Sequence, residues 1–232
     1  MPEAPPLRYA DACAAAHALD LVGERWTLLV MREMMLGPRR FSDIKANLPG
    51  ISANILTQRL ERLVALGVAC QIELPPPARV KAYELTAWGY ASEPVFQALG
   101  RWGVLSPLHD KTQSFSTASF VMSLRTMIDG AALSALPHGF NVGFVVAGEA
   151  FLARFDPQEG FVIGHGAAEA AELCLQGAAR SFAALIYGGV PLQALEAEGL
   201  VTAKGDTALI APMRALFPLP ESLPGFSGQA RE

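Results

Sequence analysis

Apolar residues recur at helical spacing through the first third of the chain and then change period. The spacing predicts a helix over Ala14–Val22 closed by Gly23, and a second over Arg25–Leu36, ended by Gly37-Pro38. Ser42–Leu48 reads as a third short helix before the turn Pro49-Gly50, and Ser52 as the N-cap of a fourth helix running to Leu66. Val68–Leu74 and Arg79–Leu85 read as two strands joined by Pro75-Pro76-Pro77-Ala78. A helix over Thr86–Trp102, interrupted by Gly89 and Pro94, completes this part. Residues 103–117 are loop-like and predict a domain boundary. Beyond it the pattern predicts a helix over Phe120–Leu136 and strands over Phe140–Ala147, Glu149–Phe155 and Phe161–Gly164. Helices follow over Ala167–Gln176, Ala178–Tyr187, Pro191–Glu198 and Thr207–Phe217. The expected division is 1–105, 115–220 and a Pro/Gly-rich tail over 221–232. No internal repeat is evident.

On a helical wheel, Ser52–Leu66 gathers Ile55, Leu56, Leu60, Leu63 and Leu66 on one face and Asn54, Thr57, Gln58 and Glu61 on the other. A helix greasy behind and lined with amides and a hydroxyl in front is suited to reading base edges in a major groove. The preceding helix and its turn would hold it there. Arg79 and Lys81 on the hairpin, Arg39 and Arg40 at the mouth of the third helix, and Arg62 beside the reading face are candidate phosphate contacts. Ser52 is a cap first and a contact second. Arg59 falls on the apolar side and reads as a structural ion pair or backbone contact, and Trp26 as core.

Charge changes the picture only when divided. The whole chain is −4, yet Arg25–Lys81 holds nine basic residues against four acidic ones, a net of +5. Attraction to phosphate needs only that local patch. Half the residues are hydrophobic, so a proper core is expected, but no run approaches the roughly 18 apolar residues of a membrane span. No secretory signal is visible, and a cytoplasmic protein is expected. Cys13, Cys70 and Cys174 are too scattered for a zinc site or a disulfide framework, and His17, His109, His138 and His165 are dispersed. No metal, cofactor or enzymatic activity is therefore expected.

The pieces ALDLVG–RWTLL, LGPRRFSDI, LPGIS–LTQRL–L–LG, YELTAWG and ALGRWG, in that order over residues 10–103, resemble the HxlR-type family of bacterial winged helix-turn-helix regulators. The resemblance implies a homodimer on inverted-repeat operator DNA, with the Ser52 helix of each protomer in a major groove and half-sites about one helical turn apart. Many members carry Lys or Arg where this chain has Asn54, so no operator sequence carries over. The family often has a cysteine just before its first helix, in some members a thiol sensor, and Cys13 stands there. The alternative function is accordingly a redox- or electrophile-sensing regulator switching through Cys13, with a merely structural C-terminal half. In that half, RSFAALIYGGVPLQALEAEGLVTAKGDTALIAPMRALF resembles the sterol-carrier-protein-like fold, in which a five-stranded sheet and its helices enclose an apolar tunnel. This implies an α+β domain sensing an apolar small molecule, with Phe144, Phe151, Phe161, Phe182, Leu185 and Leu209 as candidate liners. Gly205-Asp206 reads as a turn with an N-cap.

Overall fold

A computed structural model describes residues 9–75 and 79–224. The hairpin tip at Pro76–Ala78 and most of the expected tail lie outside the described residues. The chain divides into two compact units, 1–96 and 97–232.

The first unit opens with α1 (Ala14–Val22), where Gly23 donates to the Leu19 carbonyl and ends the helix as expected. Next, α2 spans only Thr27–Met34. Its expected start at Arg25 is corrected, because Trp26 sits in the left-handed region at φ 79° and cannot continue a helix. Trp26 is also half-buried rather than core, with the Arg25 guanidinium 5.4 Å from its ring centroid. After it come α3 (Phe41–Asn47), the turn at Gly50 with φ +93°, and α4 (Ala53–Ala65). Ser52 caps α4: its hydroxyl accepts from the Ile55 amide at 3.2 Å. Leu56, Leu60 and Leu63 pack fully buried with Val30, Met31, Met34, Ile44 and Ile51 to form one core.

Strands β1 (Ala69–Glu73) and β2 (Lys81–Leu85) pair antiparallel from Ala69↔Leu85 to Glu73↔Lys81. The sequence gives no sign of a third partner, yet Arg39 bridges to Tyr83, each amide donating to the other's carbonyl at 2.9 and 2.8 Å. The segment leading into α3 is thus hydrogen-bonded to the hairpin. A further correction concerns Gly89, which does not interrupt a helix. It lies buried inside α5 (Ala87–Tyr90), where a Cβ would overlap the Val68 carbonyl oxygen. The break falls instead at Ser92, whose hydroxyl donates to the Gly89 carbonyl, and Pro94 lies in the first turn of α6 (Glu93–Gly103).

The second unit begins with α7 (Thr117–Met127) and α8 (Gly130–Ser134). They replace the single expected helix because Asp129 leaves helical geometry and caps α8 through the Ala131 and Ala132 amides. Strands β3 (Phe140–Val146), β4 (Glu149–Asp156) and β5 (Gly160–His165) form a meander. The expected helix over Ala167–Gln176 is wrong. A 3-10 turn at Ala168–Ala170 leads into β6 (Leu173–Gly177), which lies parallel to β3 in the register Val142↔Leu173. Alanine and glutamate favour a helix locally, but Leu173, Cys174 and Leu175 are all buried, and that arrangement suits a sheet interior. Then come α9 (Ala179–Ile186), α10 (Leu192–Ala197), β7 (Val201–Gly205) and, after a 3-10 turn capped by Asp206, α11 (Ile210–Ala215). The sheet order is β5-β4-β3-β6-β7. Its helix-covered face carries Phe140, Val142, Phe144, Phe151, Phe155, Leu173 and Leu175, all buried.

Candidate nucleic-acid interface

The reading face is presented by α4. One side of this helix is sunk in the core through Leu56, Leu60 and Leu63, while Asn54, Thr57, Gln58 and Glu61 are exposed on the other. The separation follows from the helical period: 56, 60 and 63 stack one above another, and 54, 57, 58 and 61 fall about half a turn away. Side-chain amides and a hydroxyl can donate and accept at base edges. Ser52 puts its hydroxyl at the N-terminus of the same helix, where the unpaired amides and the helix dipole favour a phosphate.

Basic residues flank this face unevenly. Arg40 is exposed at the N-cap position of α3, and Arg79 and Lys81 are exposed on the hairpin's returning limb. Arg39 is half-buried, its backbone held by Tyr83. Arg62 requires a correction: it turns inward and donates from Nη2 to the Asp20 carbonyl at 2.6 Å, strapping α4 to the end of α1. A guanidinium committed to a buried carbonyl is a structural strut, so Arg62 leaves the set of phosphate contacts. Arg59 pairs with Glu24 and donates from Nε to the Arg25 carbonyl at 3.2 Å, an ion pair and a backbone contact together.

Sequence reasoning missed Glu33. Its side chain is 0% exposed on α2 and accepts from Arg32 at 2.8 and 3.1 Å and from Asn47 Nδ2 at 3.0 Å. The Asn47 bond ties α3 to α2 and so fixes the helix preceding α4. A lone glutamate in an apolar helix was the available signal, since carboxylates are buried only when satisfied.

Cys13 is exposed at the N-cap position of α1. The backbone amides of Ala16 and Ala15 hold its thiol below the ordinary range. The Asp11 carboxylate accepts from the Cys13 backbone amide at 2.8 Å.

The expected liners of the second unit lie in the layer between its sheet and its helices. Phe144, Phe151, Phe182 and Leu185 are fully buried, and Phe120, Phe144 and Phe182 pack on one another at 5.2–5.4 Å between ring centroids. Phe161, half-buried, packs on Phe155 and Phe217, and Leu209 is half-buried beside α11. These rings pack against one another within that layer. Among the described residues, no group of three or more His, Cys, Asp or Glu could hold a metal ion. Nor is any described helix long and apolar enough to cross a membrane.

Comparison with known proteins bears on the N-terminal part of the chain. Residues 21–109 match the family model described as HxlR-like helix-turn-helix. The uncharacterised HTH-type transcriptional regulator YvaP of Bacillus subtilis is 35% identical over 86 residues, which are 37% of this chain and 79% of that protein. The HTH-type transcriptional regulator YodB of the same organism is 35% identical over 85 residues, covering 37% of this chain and 76% of its own length. The structure of its reduced form aligns at 31% identity and a TM-score of 0.38, covering 43% of this chain and all of that one. With a capped helix, a preceding helix and turn, and a two-stranded wing in the order the family requires, the chain belongs to the HxlR-like helix-turn-helix family of DNA-binding transcription regulators.

Proposed function

We propose that this regulator binds inverted-repeat operator DNA as a homodimer, each protomer laying α4 in a major groove. The observation carrying this reading is the division of α4 into a buried leucine face and an exposed face of Asn54, Thr57 and Gln58. Asn and Gln side chains pair bidentately with adenine, and Thr57 offers a hydroxyl or methyl contact. Ser52, Arg40, Arg79 and Lys81 meet phosphates on either side, with Arg39 supporting the wing through its backbone. Dimerisation is supported by α6, where Val95, Leu99 and Trp102 are 49%, 44% and 75% exposed at i, i+4 and i+7. An apolar stripe of this size on one helix face suits a partner helix. Two protomers would read half-sites about 34 Å apart.

The test is a gel shift of the full chain on DNA from upstream of its own gene at several salt concentrations, with sedimentation to give the oligomeric state. Binding that falls steeply with salt, by a species of twice the chain mass, is the expected result. A monomer indifferent to DNA at low salt overturns the reading.

A second reading has its own observation. Cys13 is exposed, and its thiolate is favoured by the first amides of α1, so in this reading oxidation or alkylation there switches operator affinity. Unchanged release from DNA by peroxide or a quinone in Cys13→Ser removes it. For the second unit, the five-stranded sheet backed by helices supports a sterol-carrier-protein-like sensing module. An apolar effector entering the sheet–helix layer has to displace the Phe120–Phe144–Phe182 cluster.

A further inference from the structure

The sheet of the second unit has an outer face, opposite the phenylalanine layer, and a cleft of about 270 Å³ opens there. Register sets its floor. Cys174 pairs with Lys204 and Gln176 with Thr202 across β6 and β7, and Val145 pairs with Gln176 from β3, so all five side chains project from the same face. One wall is the segment 168–172. One glycine lets it press onto the sheet: a Cβ at Gly143 would overlap the Ala168 carbonyl. Glu172 ties down the far end of this wall, its carboxylate accepting from the Asn141 amide at 2.7 Å and its carbonyl from the Asp206 amide at 2.8 Å. The wall is therefore fixed to the sheet by close backbone contact at Gly143 and by the bonds of Glu172.

Its chemistry is two-signed. Lys204, Thr202 and Gln176 offer donors on the strands, and Glu169 stands on the opposing wall. Lys204 and Glu169 form no ion pair with each other, and neither they nor Gln176 and Thr202 have a side-chain hydrogen-bond partner among the described residues. Between them lie Val145 and Cys174, the latter 8% exposed. Burial and the Glu169 charge keep its thiol protonated, so the floor is neutral. A simple anion entering here meets Glu169, and a simple cation meets Lys204. A molecule carrying both charges satisfies both walls at once.

We infer that this cleft binds a small zwitterion of the α-amino acid type, its carboxylate on Lys204 and Thr202, its ammonium on Glu169, and a short apolar side chain over Val145 and Cys174. The volume suits a small metabolite and is below the usual range for drug-sized or lipid ligands. The inference stands apart from the DNA-binding reading, because it is measured without DNA.

The experiment is calorimetric titration of the full chain with L-valine, and with acetate and propylamine as probes carrying one charge each. Saturable binding of L-valine is expected, with acetate and propylamine at least about tenfold weaker, the scale of one charge-assisted hydrogen bond lost. Lys204→Met and Glu169→Gln, both at exposed positions, should each weaken L-valine by a similar factor while leaving the thermal midpoint unchanged. No saturable binding of L-valine overturns the proposal. So does equal binding of acetate, or unaltered affinity in Lys204→Met.

Discussion

Replacing Ser52 separates two roles that coincide in one hydroxyl, capping α4 and approaching the DNA. The cap is a single bond from the Ile55 amide at 3.2 Å, made at an exposed helix end. Removing it in Ser52→Ala should cost about 1 kcal/mol. For a unit of this size that lowers the melting midpoint by roughly 4–8 °C, provided the first unit melts on its own. Ser52→Asp is the informative partner. A carboxylate caps as well as serine and complements the helix dipole, so stability should hold or rise by about 0.3–1 kcal/mol. The same charge, placed about 5 Å from a phosphate, is repelled by roughly 0.8 kcal/mol in water and about 3 kcal/mol at an effective dielectric constant of 20. Operator affinity should therefore fall about 4- to 150-fold in a protein no less stable than the parent. Fluorescence anisotropy with a labelled operator duplex reads the affinity, and circular dichroism the melt. Were Ser52→Asp to bind as tightly as the parent, the N-terminus of α4 would not lie at the phosphate backbone, and the docking geometry would fail.

Other outcomes follow from the same physics. Leu60→Ala empties a fully buried site under the reading face and should cost about 2–5 kcal/mol in urea unfolding; a loss below 1 kcal/mol would contradict its burial. Lys81→Ala should weaken all duplexes alike and reduce the salt slope by about 0.9, as for one phosphate contact, in titrations between about 50 and 200 mM salt. Cys13, whose thiol pKa is lowered, keeps its thiolate to lower pH than an ordinary cysteine, whereas burial raises that of Cys174. Pulsed iodoacetamide labelling read by mass spectrometry should therefore modify Cys13 first at neutral pH and Cys174 only at higher pH. Gly143→Ala forces a methyl group into the Ala168 carbonyl and should cost about 1–3 kcal/mol, measured by thermal or urea unfolding.

What the sequence made legible was what local chemistry decides. Ser52 with leucines at helical spacing specifies a capped, one-sided helix, and α4 emerges within a residue of its expected ends. Alternating apolar residues with Gly148 and Asp156-Pro157 as turns specify the β3–β4–β5 meander in the same way. Helix propensity misled at β6, because its state is set by pairing with β3 some thirty residues away, which leaves no local mark. Distance in sequence also hid the fate of Arg62. A wheel places it beside the reading face, and only the folded chain brings the Asp20 carbonyl within reach. The phenylalanines were recognisable as interior, but whether an interior is filled or hollow depends on how rings from α7, β3 and α9 meet, and composition is silent on that. The outer cleft was invisible for the same reason, since its floor spans three strands.

Because Arg39 and Tyr83 exchange both of their backbone bonds, the wing is stapled to the arm that leads into α3. The two cannot flex separately without breaking a closed pair of amide bonds, so the wing and the arm into α3 travel as one rigid head. A signal that alters DNA affinity must then shift or tilt that head whole, and the Arg39 and Tyr83 amides should exchange slowly with deuterium whether or not the signal is present.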